Sequence, residues 1–225
     1  MDSNPSRRGR FPFWVQLAGV LVVRYGCHAL MLLSVLAHEN VPAPTLPDLL
    51  LSHVPYVPLI ARWNYVLWLL CYVPPAIWIG IRDRRLFLRL LVTDGVLALL
   101  RGLVVPLTGL GPVLGPDLNA LHPFPLWSTW LAVLDPFRAI FGNSAGCYLT
   151  KDLFYSGHIA TTFLLYLFSR RFGRAAWVFL ALNLLTLAVV LLAHLHYTID
   201  IIGAYALTYA LFRGSENLAA RSARK

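Results

Sequence analysis

The chain has 225 residues, of which 58% are hydrophobic and only 13% are charged, and its formal net charge is +9. Soluble domains typically carry about 25% charged residues, so this composition excludes an ordinary water-soluble fold and favours a membrane domain. The basic residues cluster between apolar runs, a distribution that indicates membrane topology and argues against a nucleic-acid-binding patch.

Apolar runs along the chain predict six transmembrane helices. The last run is short for a bilayer, which needs about 20 residues. We therefore expect an all-α integral membrane protein, a six-helix transmembrane bundle over 13–213, flanked by basic tails at 1–12 and 214–225. The predicted spans are 14–36, 64–81, 86–107, 152–168, 175–192 and 197–212.

Arginines predict the orientation of these spans. The two long connections at 39–62 and 108–151 hold only Arg62, Arg138 and Lys151 as basic residues. Basic residues stay cytoplasmic, so both termini are expected inside and the long connections outside. The stretch 126–141, rich in aromatic residues, is predicted to be an interfacial or re-entrant helix, with a surface loop as the alternative. The residues assigned to the cytoplasmic side are Arg7, Arg8, Arg10, Arg82, Arg84, Arg85, Arg89, Arg170, Arg171, Arg174, Arg213, Arg221, Arg224 and Lys225.

Two histidine motifs lie at the predicted outer ends of spans. The first is Tyr-Ser-Gly-His at 155–158, and the second is His-Leu-His-Tyr-Thr-Ile-Asp at 194–200. Because the predicted topology places both on the outer side, they can converge although they are distant in sequence. Ionisable side chains within a membrane are costly and tend to mark functional sites.

The spacing within these motifs suggests acid, base and nucleophile roles. His196 and Asp200 are four residues apart, so a helix would place them on one face, where the carboxylate can orient the imidazole. The other ring nitrogen of His196 is then free to attack, and His158 can shuttle a proton. Gly157 permits close approach of a phosphoryl group, and Ser156 lies near a helix start, where anions bind.

Two alternatives remain open for these polar residues. Single histidines in membrane proteins often form hydrogen bonds between helices and have no catalytic role. A metal site on His194, His196 and Asp200 is another option, although three ligands so close in one segment would strain a compact site. No metal or organic cofactor is implied, since histidines can supply both nucleophilic and acid–base chemistry.

The motifs resemble those of the sphingomyelin synthase family, a branch of the PAP2 lipid phosphatase and phosphotransferase superfamily. That family's first motif reads C-x-D-x-x-Y-S-G-H or similar, and this chain carries Cys147 and a longer spacing before Ser-Gly-His. The second, H-x-H-Y-T-x-D after a leucine–alanine run, is matched at 191–200. Weaker likenesses are Pro-Thr-Leu-Pro-Asp at 44–48 and the third span, which has a basic start and contains Arg101. The likeness extends from residue 42 onward and implies six spans with cytoplasmic termini.

The resemblance implies a role for each matching residue. His196 would form a phosphohistidine, Asp200 would orient it, and His158 would protonate a departing diacylglycerol oxygen and then deprotonate the acceptor hydroxyl. Leu195 stands where the family often has an aspartate, which leaves the headgroup and acceptor open. Residues expected to bind substrate or phosphate are Ser156, Gly157, Arg101, His194 and Tyr197. Three further residues have weaker support: Asp94 as part of an extended acid–base network, and Asp152 and Lys151 as headgroup contacts.

Several of these side chains also have simpler interpretations. Arg101 could be a helix-packing or snorkelling arginine. Asp94, inside the third span, could pair with a basic residue. Lys151 and Asp152 could form a solvated helix start, which we slightly favour over headgroup contact.

Missing cations distinguish two candidate reactions. Ordinary PAP2 phosphatases carry S-R-x5-H-x3-D, but Val189 and Val190 occupy the Ser-Arg positions here, and the K-x6-R-P signature is absent. A phosphate monoester carries up to two negative charges and a diester one. The sequence therefore favours a headgroup transferase acting on membrane lipids, with its site on the exoplasmic (periplasmic or luminal) side. A lipid phosphate phosphatase and, less favoured, a lipid transporter or scramblase are the alternatives, and the oligomeric state is open.

Overall fold

Helices make up all the regular secondary structure of the residues described by the computed structural model, which are 11–135 and 149–224. This result confirms the all-α class. Long apolar runs with few charges favour helix because a helix satisfies its own backbone hydrogen bonds. The described helices are α1 (Phe13–Glu39), α2 (Pro58–Arg82), α3 (Arg84–Thr108), α4 (Leu118–Leu121), α5 (Leu126–Val133), α6 (Gly157–Ser169), α7 (Ala176–Leu192) and α8 (Thr198–Ala223).

Four segments are long and apolar enough to cross a membrane by length and composition: Phe13–Glu39, Pro58–Arg82, Arg84–Thr108 and Gly157–Leu192. The last comprises α6, α7 and the turn between them, and α8 is not among the four. Large apolar side chains are exposed along the outer faces of these helices. The protein is therefore a multi-pass membrane protein, while the count of six spans and the cytoplasmic termini stay predictions.

A glycine turn separates α6 from α7. Phe172 and Gly173 leave the helical conformation, and Gly173 has a φ of 61°, which a residue without Cβ adopts readily. The two helices then pack against each other, and Asn183 Nδ2 donates to Thr162 Oγ1 at 2.9 Å. The apolar stretch of 36 residues is thus a helical hairpin.

Three helices differ from their predicted limits by five residues or more, and the first of them, α2, begins at Pro58 instead of at residue 64. The span predicted at 152–168 was wrong at its start, because α6 begins at Gly157, where Ser156 caps it by accepting a hydrogen bond from the backbone N–H of Ile159. The last helix runs to Ala223, so the predicted tail at 214–225 is helical over most of its length.

The helices define a histidine end and an arginine end of the bundle. At the arginine end, Arg171 lies 3.4 Å from Asp83, and Arg89 forms an ion pair with Glu216. Helices α3 and α6 are central among the described residues, since α3 packs against α1, α2, α6 and α8, and α6 packs against α2, α3, α7 and α8. The histidine end, where α6 and α8 begin, rests on a buried apolar cluster that includes Leu97, Ile159, Val190 and Ile201.

The two long connections predicted to lie outside, at 39–62 and 108–151, are called the outer connections below, and their described parts fold against this bundle. Helix α5 packs on α1, and the indole of Trp130 donates to the carbonyl of Ala29 at 2.7 Å. The helix predicted at 126–141 is thus helical over Leu126–Val133, while 136–141 lies outside the described residues.

Candidate active site

His158 and His196 meet at the histidine end of the bundle. Their ring centroids are 6.1 Å apart with an edge-to-face arrangement. His158 is the second residue of α6, and His196 lies in the turn just before α8. Within the described residues, Nε2 of His158 and Nδ1 of His196 have no hydrogen-bond partner. The two predicted catalytic histidines are therefore adjacent, with His196 buried and His158 partly exposed.

Asp200 lies beside His196, but not on a shared helix face as the spacing suggested. That geometric prediction was wrong because α8 begins at Thr198, after the histidine. Instead, Asp200 Oδ2 accepts the backbone N–H of Tyr197 at 2.9 Å in a capping box. The same oxygen is 3.6 Å from His196 Nδ1, beyond ordinary hydrogen-bond length but close enough to stabilise an imidazolium.

A backbone hydrogen bond joins the two motifs. The N–H of Ser156 donates to the carbonyl of Asp200 at 3.2 Å. The Ser156 side chain is fully buried and caps α6. This contact fixes the start of α6 against the start of α8, and so sets the distance between the two histidines.

Arg101 reaches this junction from α3. Its Nε donates to the carbonyl of Tyr155 at 2.7 Å, and its Nη2 lies 2.6 Å from Asp152 Oδ1 and 3.1 Å from the Asp152 carbonyl. A Cβ at position 157 would lie 2.8 Å from Arg101 Nη1, so Gly157 makes room for the guanidinium. The glycine was expected to admit a phosphoryl group, but the group lying against it here is this arginine.

An aromatic pair supports His158 from α2. The Trp68 ring lies edge-to-face with His158 at 5.4 Å, and its indole N–H donates to Thr161 Oγ1 at 2.9 Å. Trp68 also stacks on Tyr72 at 5.4 Å, four residues later on the helix. The sequence analysis did not identify either residue. Two aromatic residues four positions apart on one helix face could have indicated a stacked pair.

Asp94 has the basic partner that the sequence left open. Its Oδ2 lies 2.8 Å from Nε of Arg24 in α1 and accepts the hydroxyl of Tyr72 at 3.1 Å. The pair neutralises a buried carboxylate within the apolar layer, where an unpaired charge would be costly. Asp94 thus connects to His158 only indirectly, through Tyr72 and Trp68.

The N-terminus of α8 is capped from the first outer connection. Asp48 accepts hydrogen bonds from the backbone N–H of Thr198 at 2.6 Å and from its hydroxyl at 2.9 Å. Burial alone would raise the pKa of the Asp48 carboxyl, but hydrogen bonds from Thr198, Leu50 and Leu51 outweigh it and hold the pKa below its usual value. Asp48 ends the Pro-Thr-Leu-Pro-Asp segment at 44–48, which had been noted only as a weak likeness.

Tyr197 and His194 bind other parts of the protein through their side chains. The Tyr197 hydroxyl donates toward the carbonyls of Gly111 and Pro112 and accepts the N–H of Leu46, each at 3.1 Å. His194 Nε2 lies 3.0 Å from the Val54 carbonyl. Both side chains therefore fasten outer connections around the histidine pair, and their expected contact with substrate stays a prediction.

Lys151 is buried, so its interpretation as part of a solvated helix start was wrong. Its Nζ lies 2.8 Å from Asp117 Oδ2 and donates to the Val41 carbonyl at 2.7 Å, while its backbone N–H donates to Glu39. The side chain is 1% exposed. Because Asp117 and Glu39 are distant in sequence, short-range patterns gave no signal for this cluster.

Among the described residues, no group of three His, Cys, Asp or Glu side chains is arranged to hold a metal ion. Cys147, at the start of the first motif, lies outside the described residues.

Comparison with known proteins places the histidine motifs in a family context. Residues 150–217 match the family model for the PAP2 superfamily C-terminal domain. The human protein named Sphingomyelin synthase-related protein 1 is 29% identical over 206 residues, which cover 80% of this chain and 46% of that protein. Human Phosphatidylcholine:ceramide cholinephosphotransferase 1 is 28% identical over 235 residues, covering 91% of this chain and 53% of that protein.

The region matched by the family model includes both histidine motifs, all of α6 and most of α8. The chain spans about half the length of the curated relatives it matches. The resemblance inferred from the two histidine motifs is thereby confirmed: the protein is similar to the PAP2 superfamily C-terminal family over 150–217 and to the sphingomyelin synthases over most of its length.

Proposed function

We propose that the protein is a phospholipid headgroup phosphotransferase. It would move a phosphoalcohol, phosphocholine or phosphoethanolamine, from a glycerophospholipid to a lipid hydroxyl such as that of ceramide or diacylglycerol. The observation that carries this proposal is the contact between the His158 and His196 rings beside the Asp200 carboxylate. One histidine can act as nucleophile while the other moves the proton.

The first half-reaction breaks the donor lipid. With Nδ1 of His196 facing Asp200, its Nε2 attacks the phosphorus and forms a P–N bond. The bond from phosphorus to the diacylglycerol oxygen breaks, and protonated His158 gives its proton to that oxygen. Asp200 stabilises the positive charge that develops on the His196 ring.

The second half-reaction uses the same groups in reverse. His158, now neutral, takes the proton of the acceptor hydroxyl, whose oxygen attacks phosphorus and breaks the P–N bond. The product is a phosphodiester on the acceptor lipid, and His196 is restored. Water in place of the acceptor gives phospholipase C-like hydrolysis.

The charge near the site supports a diester substrate. The Arg101 guanidinium is balanced by Asp152 at 2.6 Å, which reduces its pull on a phosphate. Val189 and Val190 contribute no charge where ordinary PAP2 phosphatases carry Ser and Arg. A singly charged diester needs fewer compensating cations than a monoester with up to two charges.

A mass-spectrometric lipid assay tests the proposal. Purified protein is incubated with headgroup-labelled phosphatidylcholine or phosphatidylethanolamine, with ceramide or diacylglycerol as acceptor. We expect the label on the acceptor, and we expect His196→Ala to abolish it because the P–N bond cannot form. His122→Ala is the matched control, since this histidine is exposed in an outer connection.

Two results would contradict the transferase. Retention of transfer by His196→Ala would remove the proposed nucleophile. Release of inorganic phosphate from phosphatidic acid, without turnover of either diester, would assign the site to a monoester phosphatase instead.

A further inference from the structure

A cavity lies at the arginine end, away from the histidine pair. It has a volume of about 1120 Å³ and lies between the start of α1, the first half of α3 and the second half of α8. Ordinary small-molecule pockets span about 300–1,000 Å³. We call this cavity the basal groove. Its size suits an occupant larger than a typical metabolite.

The walls of the basal groove are apolar. Leu88, Val92 and Val96 are four residues apart and form one stripe along α3, with Val92 and Val96 about half exposed. Leu211 and Leu218 of α8 line the opposite side. This stripe runs from the arginine end toward the middle of the bundle, as an acyl chain would.

The mouth of the basal groove is positively charged. Arg84 and Arg85 both line it and are exposed. The Arg84 guanidinium lies 5.0 Å from the ring centroid of Phe13 and 5.9 Å from that of Trp14. Aromatic and basic side chains together favour the headgroup level of a membrane. Across the described residues, Arg85 forms no ion pair, so its charge is available to a ligand.

We propose that the basal groove binds an anionic phospholipid as a site separate from the histidine site. One acyl chain lies along the stripe of Leu88, Val92 and Val96, and the phosphate contacts Arg84 and Arg85. The chain's own N-terminal segment is a poor occupant, because Arg7, Arg8 and Arg10 would be repelled by the basic mouth.

Photocrosslinking tests this site in the full-length protein. The His196→Ala variant, which cannot turn over a diester, is purified in an uncharged detergent with photoactivatable phosphatidylglycerol or phosphatidylcholine. We expect the anionic probe to label peptides covering 84–96 and 210–222 preferentially. Replacing Arg84→Gln and Arg85→Gln should weaken this labelling by about fivefold for each charge removed.

Filling the groove provides a second, independent variant. Gly214 lines the groove, and a Cβ there meets no atom within 4 Å, so Gly214→Leu should place its side chain in the groove and reduce labelling at least severalfold. Gly26→Leu, at an equally open glycine of α1, and Arg174→Gln, at an exposed arginine between α6 and α7, are the matched controls. Equal labelling by the zwitterionic probe, labelling confined to other peptides, or full labelling of the Arg84→Gln/Arg85→Gln protein would overturn the proposal.

Discussion

At the scale of single residues, the candidate site depends on a guanidinium held against a backbone. Arg101 connects α3 with the residues just before α6, and its Nη1 would be 2.8 Å from any Cβ at position 157. Gly157 therefore acts through Arg101 rather than by direct contact with a phosphoryl group.

Replacing Gly157→Ala should displace the Arg101 guanidinium and disturb the junction between the two motifs. The displaced group is the end of a flexible side chain, so we expect little change in thermal stability. We expect kcat/KM for headgroup transfer to fall on the order of 10- to 100-fold, because a small displacement of a catalytic group greatly lowers the reaction rate. Gly26→Ala, where no atom lies within 4 Å, is the control, and wild-type activity of Gly157→Ala would show that Arg101 has no such role.

At the scale of elements, the start of α8 is held by a carboxylate far away in sequence. Asp48 accepts two hydrogen bonds from Thr198, and α8 carries Asp200 in its first turn. The cap also satisfies a backbone N–H that a helix start leaves without an intrahelical partner. The stability of the candidate site is therefore linked to the first outer connection.

Asp48→Ala should reduce the free energy of unfolding by about 0.5–2 kcal/mol, the usual cost of losing a cap. Because the folded-state pKa of Asp48 is lowered, this stabilisation is present above the unfolded pKa of an aspartate, about 3.9. It is lost as pH falls through the folded pKa. Thermal unfolding of wild type and Asp48→Ala should thus differ at neutral pH and converge in acid.

A second cap provides the comparison for Asp48. Asp83 caps α3 at the arginine end by accepting the N–H of Leu86 at 2.9 Å. Asp83→Ala should cost similar stability yet leave headgroup transfer unchanged, whereas Asp48→Ala should impair both. If both variants reduced transfer equally, the Asp48 effect would reflect general instability.

At the scale of the whole molecule, the two ends of the bundle differ in charge and chemistry. Arginines gather at one end, and both histidine motifs lie at the other. Under the positive-inside rule, we propose that the histidine end faces the exoplasmic side and the arginine end the cytoplasm. This arrangement requires α8 to cross the membrane, which its composition alone leaves open.

Cysteine labelling tests this orientation. Ser52→Cys lies beside Asp48 at the histidine end, and Ser222→Cys lies near the end of α8, both at exposed positions in a chain with its native cysteines replaced. In intact cells, a membrane-impermeant thiol reagent should label position 52 immediately and position 222 only after permeabilisation. Labelling of both positions from outside would show that α8 does not cross the membrane.

Sequence patterns were sufficient to predict the helical membrane class, the two histidine motifs and the family resemblance. Apolar runs and short-range spacings are local patterns, so they can be interpreted without knowing how the helices pack. The same signals misplaced the start of α6 and the face shared by His196 and Asp200, because capping by Ser156 and Asp200 decides where those helices begin.

The contacts between distant residues around the site are visible only in the folded protein. Arg101 contacts the residues just before α6, Asp48 caps α8, and Lys151 pairs with Asp117 instead of facing solvent. Each contact joins segments that are far apart in the chain, so no periodicity could reveal it. Buried polar groups in proteins are nearly always hydrogen-bonded. Which group serves as the partner depends on how the helices pack, and the local sequence does not specify that packing.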